Sequence, residues 1–214
     1  MATFDTPDLS VRTTNQIPKL LLYFVFTVSG ISALLYQLIW QRALLTIYGS
    51  NSESVTMVVS AFMIGLGLGS LAGGALSKRP NISFLLIFGI IEVLIGVYGA
   101  FSLSLFDAVG AYTGQVNQWA TGGLCFSLIM VPTLLMGSTL PLLVAYYVNT
   151  YKNVGYSVSM LYFVNTLGAG LGAFLAAFFV LGALGLTNSV FLAVTLNVSA
   201  GFMVLLYWKM ETKL

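Results

Sequence analysis

From Ser54 to Ser77 the chain runs for more than twenty residues without a charge, then stops at Lys78-Arg79-Pro80. Inside this run Gly65, Gly69 and Gly73 recur at every fourth position, with Gly67, Ser70 and Gly74 beside them. In water each such glycine would weaken a helix by about 1 kcal/mol relative to alanine. In lipid no water can take up freed backbone groups, so the run has to stay helical. Its small residues then form a flat face on which a second helix packs closely. A phosphate-cradling loop does not fit, because no strand precedes these glycines and no Gly-Lys-Ser/Thr follows them.

A partial copy lies later in the chain. Sliding by 103 residues sets Ser157, Val158 and Met160 on Ser54, Val55 and Met57. The same shift sets Gly168, Gly170, Leu171 and Gly172 on Gly65, Gly67, Leu68 and Gly69. Spaced glycines matched in this way go beyond shared hydrophobicity and indicate a duplicated unit. Gly65, Gly69, Gly73, Gly168 and Gly172 are therefore the expected helix-packing positions.

Composition limits the alternatives. Of the 214 residues 58% are hydrophobic and 7% charged, against about 25% charged in ordinary soluble domains, and mean hydropathy is +0.97. The class is a polytopic all-α membrane protein. Histidine is absent and Cys125 is the one cysteine. Disulfides within the chain are impossible, and a zinc or haem site built on His/Cys ligands is excluded. No metal or cofactor is expected. A net charge of +2, scattered along the chain, does not suit nucleic acid.

Six runs reach the ~20 apolar residues that a bilayer requires: 20–41, 54–77, 83–105, 119–148, 156–181 and 187–208. Residues 1–18 read as a polar leader that fits no cleaved signal peptide, 19–208 as the membrane domain, and 209–214 as a short tail. Tyr48, Tyr112, Trp119, Tyr146, Tyr147, Tyr151, Tyr207 and Trp208 fall near span ends, where interfacial aromatics belong. With six spans, Arg12, Lys19, Lys78, Arg79, Lys152, Lys209 and Lys213 share one side and only Arg42 lies on the other. The positive-inside rule then puts both termini in the cytoplasm, with the protein integral to a cytoplasmic (bacterial inner) membrane. Three spans per repeat make the two copies enter from opposite faces, an inverted 3+3 repeat of halves 20–105 and 119–208. The second and fifth spans are expected to pack through their glycine faces near the centre.

Several blocks, in order, carry a resemblance. They are Ser29-Gly30 followed by Ala33 to Gln37, Trp40 and Arg42; Gly49-Ser50 through Ala61-Phe62-Met63 to Gly65–Ser70; Glu92; Pro132 to Leu142; and Leu161-Tyr162 with Asn165 to Ala169. From about Leu21 to Tyr207 the chain resembles the membrane domain of the spermidine synthase-like membrane proteins, the fused facilitator/spermidine synthases. The inverted 3+3 repeat expected above is the plan found within each six-helix half of a major facilitator fold. In the spermidine synthase-like family a soluble aminopropyltransferase domain commonly follows, with a glycine-rich donor loop and acidic polyamine ligands. Neither is present before Leu214, so synthase chemistry is not implied and no enzyme activity is expected.

Glu92 is the acid within the third predicted span, nine residues from its start. That places it ~13–14 Å deep at 1.5 Å per residue. Intramembrane acids usually face a cavity or a partner, so Glu92 is either a cation or proton site suited to a polyamine-like amine, or a hydrogen-bonded glue residue. Asn165 reaches similar depth in the fifth span, with Thr166 next to it, and reads as interhelical glue or a ligand contact. Pro132 and Pro141 should kink or break the fourth span, and a broken helix would expose Thr133, Ser138 and Thr139 to a ligand. Tyr36, Gln37, Trp40 and Arg42 close the first span and Glu53 opens the second, as a structural clamp or an external gate. Cys125 reads as a packing residue. Two functions compete: a membrane subunit that anchors or organises a partner or complex, and a small transporter or binder of a cationic metabolite, working as a dimer.

Overall fold

The structure, a computed structural model, describes residues 17–48, 51–113 and 118–211. They form α1 (Lys19–Tyr48), α2 (Asn51–Leu76), α3 (Phe84–Thr113), α4 (Gln118–Tyr151), α5 (Val154–Leu175), a single π-helical segment (Ala176–Val180) and α6 (Leu181–Glu211). Five helical stretches are long and apolar enough to cross a membrane: Lys19–Ile47, Ser52–Leu76, Phe84–Thr113, Trp119–Tyr151 and Val154–Met210. Such helices satisfy every backbone group internally, which is what hydrocarbon demands. They make this an integral membrane protein. Met63, Leu71, Phe101, Phe178 and Phe202 face outward as lipid-exposed side chains would.

The helices run longer than the apolar runs that predict them. Helix α1 continues to Tyr48 rather than 41, and α3 to Thr113 rather than 105, so Asp107 lies within a helix. The gap expected between the last two spans, after 181 and before 187, holds a kink at which two helices meet. There the π-helical segment follows α5, and only Gly185 departs from helical geometry, with φ 71° and ψ −177°.

Glycine contacts fix how the helices lie. A β-carbon on Gly168 would sit 2.2 Å from the Thr27 carbonyl oxygen, and one on Gly172 would sit 2.4 Å from that of Ile31. Helix α5 therefore lies parallel on α1, with Gly30 closing the seam against Asn165. In the same way Gly65 meets Thr133, Gly69 meets Leu134 and Gly137, and Gly73 meets Ser138, so α2 lies parallel on α4. Helix α3 is parallel to α1, since Ser29 pairs with Glu92 and Trp40 with Ser102. By contrast α3 and α6 are antiparallel: Gly89 meets Gly201 and Leu205, whereas Gly96 meets Val194 and Val198. The chain therefore turns back between α5 and the body of α6, and Gly185 is the residue shaped to allow it, because its backbone region is open essentially to glycine alone.

These seams correct one expectation. The glycine faces of α2 and α5 do not meet each other; each is taken up by a helix of the other half of the chain, α4 and α1 respectively. The physical reason is economy of contact. A glycine row lets two backbones approach to van der Waals distance only if the partner offers its own backbone ridge, which α1 and α4 do at Thr27 to Ile31 and at Thr133 to Ser138.

Candidate polar site between α1, α3 and α6

Glu92 is completely buried on α3. Ser29 of α1 donates its hydroxyl to Glu92 Oε1 at 2.6 Å, and Asn197 of α6 donates its amide to Oε2 at 2.5 Å. Both carboxyl oxygens are thus held by other helices, and the glutamate joins three elements. Small residues make room for it, since a β-carbon on Gly201 would lie 3.1 Å from Glu92 Cβ. Asn197 Oδ1 is buried and has no hydrogen-bond partner. An unpaired buried acceptor costs about 1–3 kcal/mol, which makes the asparagine a strained member of the cluster.

Two turns further along α1 and α3 the seam stays polar. Tyr36 is fully buried with its hydroxyl against Gly99, and that hydroxyl also lacks a partner. Trp40, also fully buried, donates its indole N–H to Ser102 Oγ at 3.0 Å and stacks on Tyr36. Phe62, Tyr98 and Phe106 complete an aromatic cage around the indole. Tyr36 and Trp40 are therefore core anchors and not part of an exposed outer gate. The cause is the extra length of α1, which carries both residues inward. Gln37 is half-buried, and Arg42 and Glu53 are exposed.

The other expected ligand contacts do not gather around Glu92. Asn165 is half-buried against Gly30, in the α1–α5 seam. Thr166 faces outward in a shallow apolar groove with Tyr162, Phe163 and Gly170. Thr133 packs on Gly65 and returns its hydroxyl to the Ile129 carbonyl at 2.9 Å. Ser138 and Thr139 do the same with Leu135 and Met136. Despite Pro132 and Pro141, α4 is one uninterrupted helix. Pro132 frees the Leu128 carbonyl, and Tyr98 Oη donates to that oxygen at 2.6 Å, so the acceptor lost to Pro132 is met from α3.

The aromatic residues also divide. Tyr112 and Trp119 are exposed, as an interfacial belt requires, but Tyr147 is fully buried and bonds the Tyr23 hydroxyl. Lys19 lies 4.2 Å from the Tyr151 ring centroid, a cation–π contact at the start of α1. The Tyr48 side chain, the leader residues 1–16 with Arg12, the Gly49-Ser50 block and Lys213 lie outside the described residues. Cys125 is buried in the core, in keeping with packing.

Sequence reading finds Glu92 but misses its partners. Ser29 enters only as part of a motif, and Asn197 is one polar residue in an apolar run. A shift of 105 residues, which carries Glu92 onto Asn197, could have flagged it. Asp107 is missed because it lies past the predicted end of its span. No protein-family model, curated protein or solved structure matches the chain.

Proposed function

We propose that this chain is a non-catalytic integral membrane subunit that anchors or organises a partner protein or membrane complex, as the membrane half of a spermidine synthase-like protein would. The observation that carries the reading is a second set of small residues on α2 and α5. Gly67, Ser70 and Gly170 face outward, and a β-carbon on Gly67, Gly74 or Gly170 would meet nothing within 4 Å. The inner glycines are already used, whereas Gly67 and Gly170 occupy the same register in the two copies. They leave two matched outer faces for helices of another chain.

The architecture behind this reading is six crossings in an inverted 3+3 repeat with both termini cytoplasmic, in a bacterial inner membrane. Its support is a pattern of contacts. Exchanging α1 with α4, α2 with α5 and α3 with α6 carries the α1–α5 seam onto α4–α2, α1–α6 onto α4–α3, and α1–α2 onto α4–α5. The contact between α1 and α3 alone lacks a counterpart of similar size. The reversal at Gly185 supplies the turn that a sixth crossing needs. The 105-residue shift also exchanges the Gly89–Gly201 contact with Gly96–Val194, which places the Glu92–Asn197 pair close to the pseudo-two-fold axis.

The test is purification from the native membrane in mild detergent, with identification of what comes with the chain. Gly67→Phe and Gly170→Phe, which meet no neighbour inside the molecule, should leave folding intact and release the partner. A chain that purifies alone, with both variants indistinguishable from wild type, sinks the proposal.

A second reading has its own observation. Glu92 is a buried acid whose neighbours are uncharged, and two polar atoms along its seam, Asn197 Oδ1 and Tyr36 Oη, are unpartnered. A small transporter or binder of a polyamine-like cation, dimeric so as to allow alternating access, would use them. That reading requires Glu92→Gln to abolish uptake into liposomes without altering assembly.

A further inference from the structure

Glu92 is fully buried, yet no charge meets it. Ser29 and Tyr36 face it from α1 and Asn197 from α6. On α4, the other helix packed against α3, the ionisable side chains are Cys125 near one end and Tyr146, Tyr147 and Tyr151 near the other. Among the described residues no Lys, Arg, Asp or Glu reaches the carboxyl. A bare carboxylate in such a place is so costly that the group gives up its charge instead. Two features of the Asn197 contact point the same way. Its 2.5 Å separation from Oε2 is shorter than the ~2.7–3.2 Å of an N–H donor and falls within the ~2.5–3.0 Å of an O–H donor. At the other end of the amide, Oδ1 is a buried acceptor with nothing to accept. Mid-helix backbone has no donor to spare for it, because each N–H is spent on a carbonyl of its own helix, whereas each carbonyl keeps a second lone pair.

We infer that Glu92 holds a proton on Oε2 and donates it to Asn197 Oδ1, the amide standing with its oxygen toward α3. The two ends of an amide fill the same space, so this half-turn of the side chain disturbs no packing. It puts an O–H donor on the short contact. It also brings Nδ2 to the place of the stranded oxygen, where a carbonyl lone pair can receive it. Ser29 keeps its bond to Oε1. The occupant of this site is a proton, and the seam between α1, α3 and α6 is neutral. The inference rests on neither reading of function, but it bears on the second: an ammonium drawn to Glu92 has to displace that proton, one for one.

The experiment uses the full chain in phosphatidylcholine nanodiscs at neutral pH, isotopically labelled at the carboxyl carbon of glutamate. Infrared spectra are taken as labelled minus unlabelled, which cancels the lipid carbonyls. The chain has three glutamates, Glu53, Glu92 and Glu211, so the double variant Glu53→Gln with Glu211→Gln leaves Glu92 alone under the label. That variant should show the carbonyl band of a protonated acid, and Glu92→Gln should lose it. Asn197→Leu, or Asn197→Ala if leucine does not fit, should shift the band to higher frequency, because the acid no longer donates to an amide. Carboxylate bands alone in the double variant mean an ionised Glu92 and overturn the inference, whether or not Glu92→Gln folds. A protonated band that the Asn197 variants leave unmoved overturns the pairing with Asn197.

Discussion

Tyr98 of α3 gives its hydroxyl proton to the carbonyl of Leu128 on α4 at 2.6 Å, and that carbonyl is the one deprived of its helical donor by Pro132. Proline in a helix interior removes the i→i−4 bond and crowds the preceding turn. Within a bilayer the freed acceptor must be met from inside the protein. A tyrosine one helix away meets it, and α4 continues through Pro132 as one helix. The same bond ties α3 to α4, so a local defect in one helix becomes a tertiary contact.

Tyr98→Phe should therefore destabilise the chain by about 0.6–1.7 kcal/mol, the range for interhelical hydrogen bonds in membranes. In a Pro132→Ala background, where residue 132 regains its N–H, most of that cost should vanish. Reversible unfolding in mixed micelles measures both. An equal cost in the two backgrounds would refute the linkage.

Glu92 holds Ser29 and Asn197 at once. Glu92→Ala strands two buried donors and should cost about 2–5 kcal/mol. Glu92→Gln keeps a partner for each and should cost less. The double-mutant cycle of Glu92→Ala with Asn197→Ala should return a coupling of about 0.5–3 kcal/mol. Additivity within about 0.3 kcal/mol would mean that the two side chains act independently.

Glycines on the two sides of α2 should behave differently. A methyl at Gly73 would sit 2.5 Å from the Ser138 carbonyl oxygen, whereas one at Gly67 meets nothing. Gly73→Ala should cost about 1–3 kcal/mol through forced separation of α2 and α4. Gly67→Ala should be neutral, or slightly stabilising through helix propensity. Thermal inactivation of the two variants in one detergent decides it, and a reversed order would place α2 with the wrong face inward.

At Gly185 the cost lies in the backbone. Space around a β-carbon is open, but φ is 71° with ψ −177°. Gly185→Ala should therefore destabilise by about 1–3 kcal/mol, even though no atom is struck. Labelling of a cysteine placed at Asn188 should report the side of the membrane opposite to one placed at Lys152. Same-side labelling would mean that the segment after α5 does not cross as proposed.

How much was legible beforehand varied with the kind of information. The glycine rows at Gly65, Gly69, Gly73, Gly168 and Gly172 announce close packing, because no other residue permits such approach in a helix. Which helix they pack on is a tertiary fact, and the guess that α2 meets α5 fails for lack of it. Glu92 stands out because a lone acid in hydrocarbon is conspicuous, whereas Ser29 and Asn197 are unremarkable until the fold sets them on it. Tyr36 and Trp40 mislead because apolarity falls off after 41 while the helix continues to Tyr48. Seven further residues carry that pair ~10 Å inward at 1.5 Å per residue. Thr133, Ser138 and Thr139 mislead in a related way: their hydroxyls answer carbonyls of their own helix.

The parallel seams have a consequence for how this molecule is made. The ridge of α1 waits for Gly168 and Gly172, and the glycine row of α2 waits for Thr133 to Ser138. When α1 to α3 first leave the insertion machinery, neither α1 nor α2 has its main neighbour, and the rest of the chain has yet to be synthesised. Only when α4 and α5 slide in beside them does each half acquire an interior. The two halves mature together, in the manner of clasped hands, and a ribosome stalled after α3 would release a fragment fit for capture and degradation.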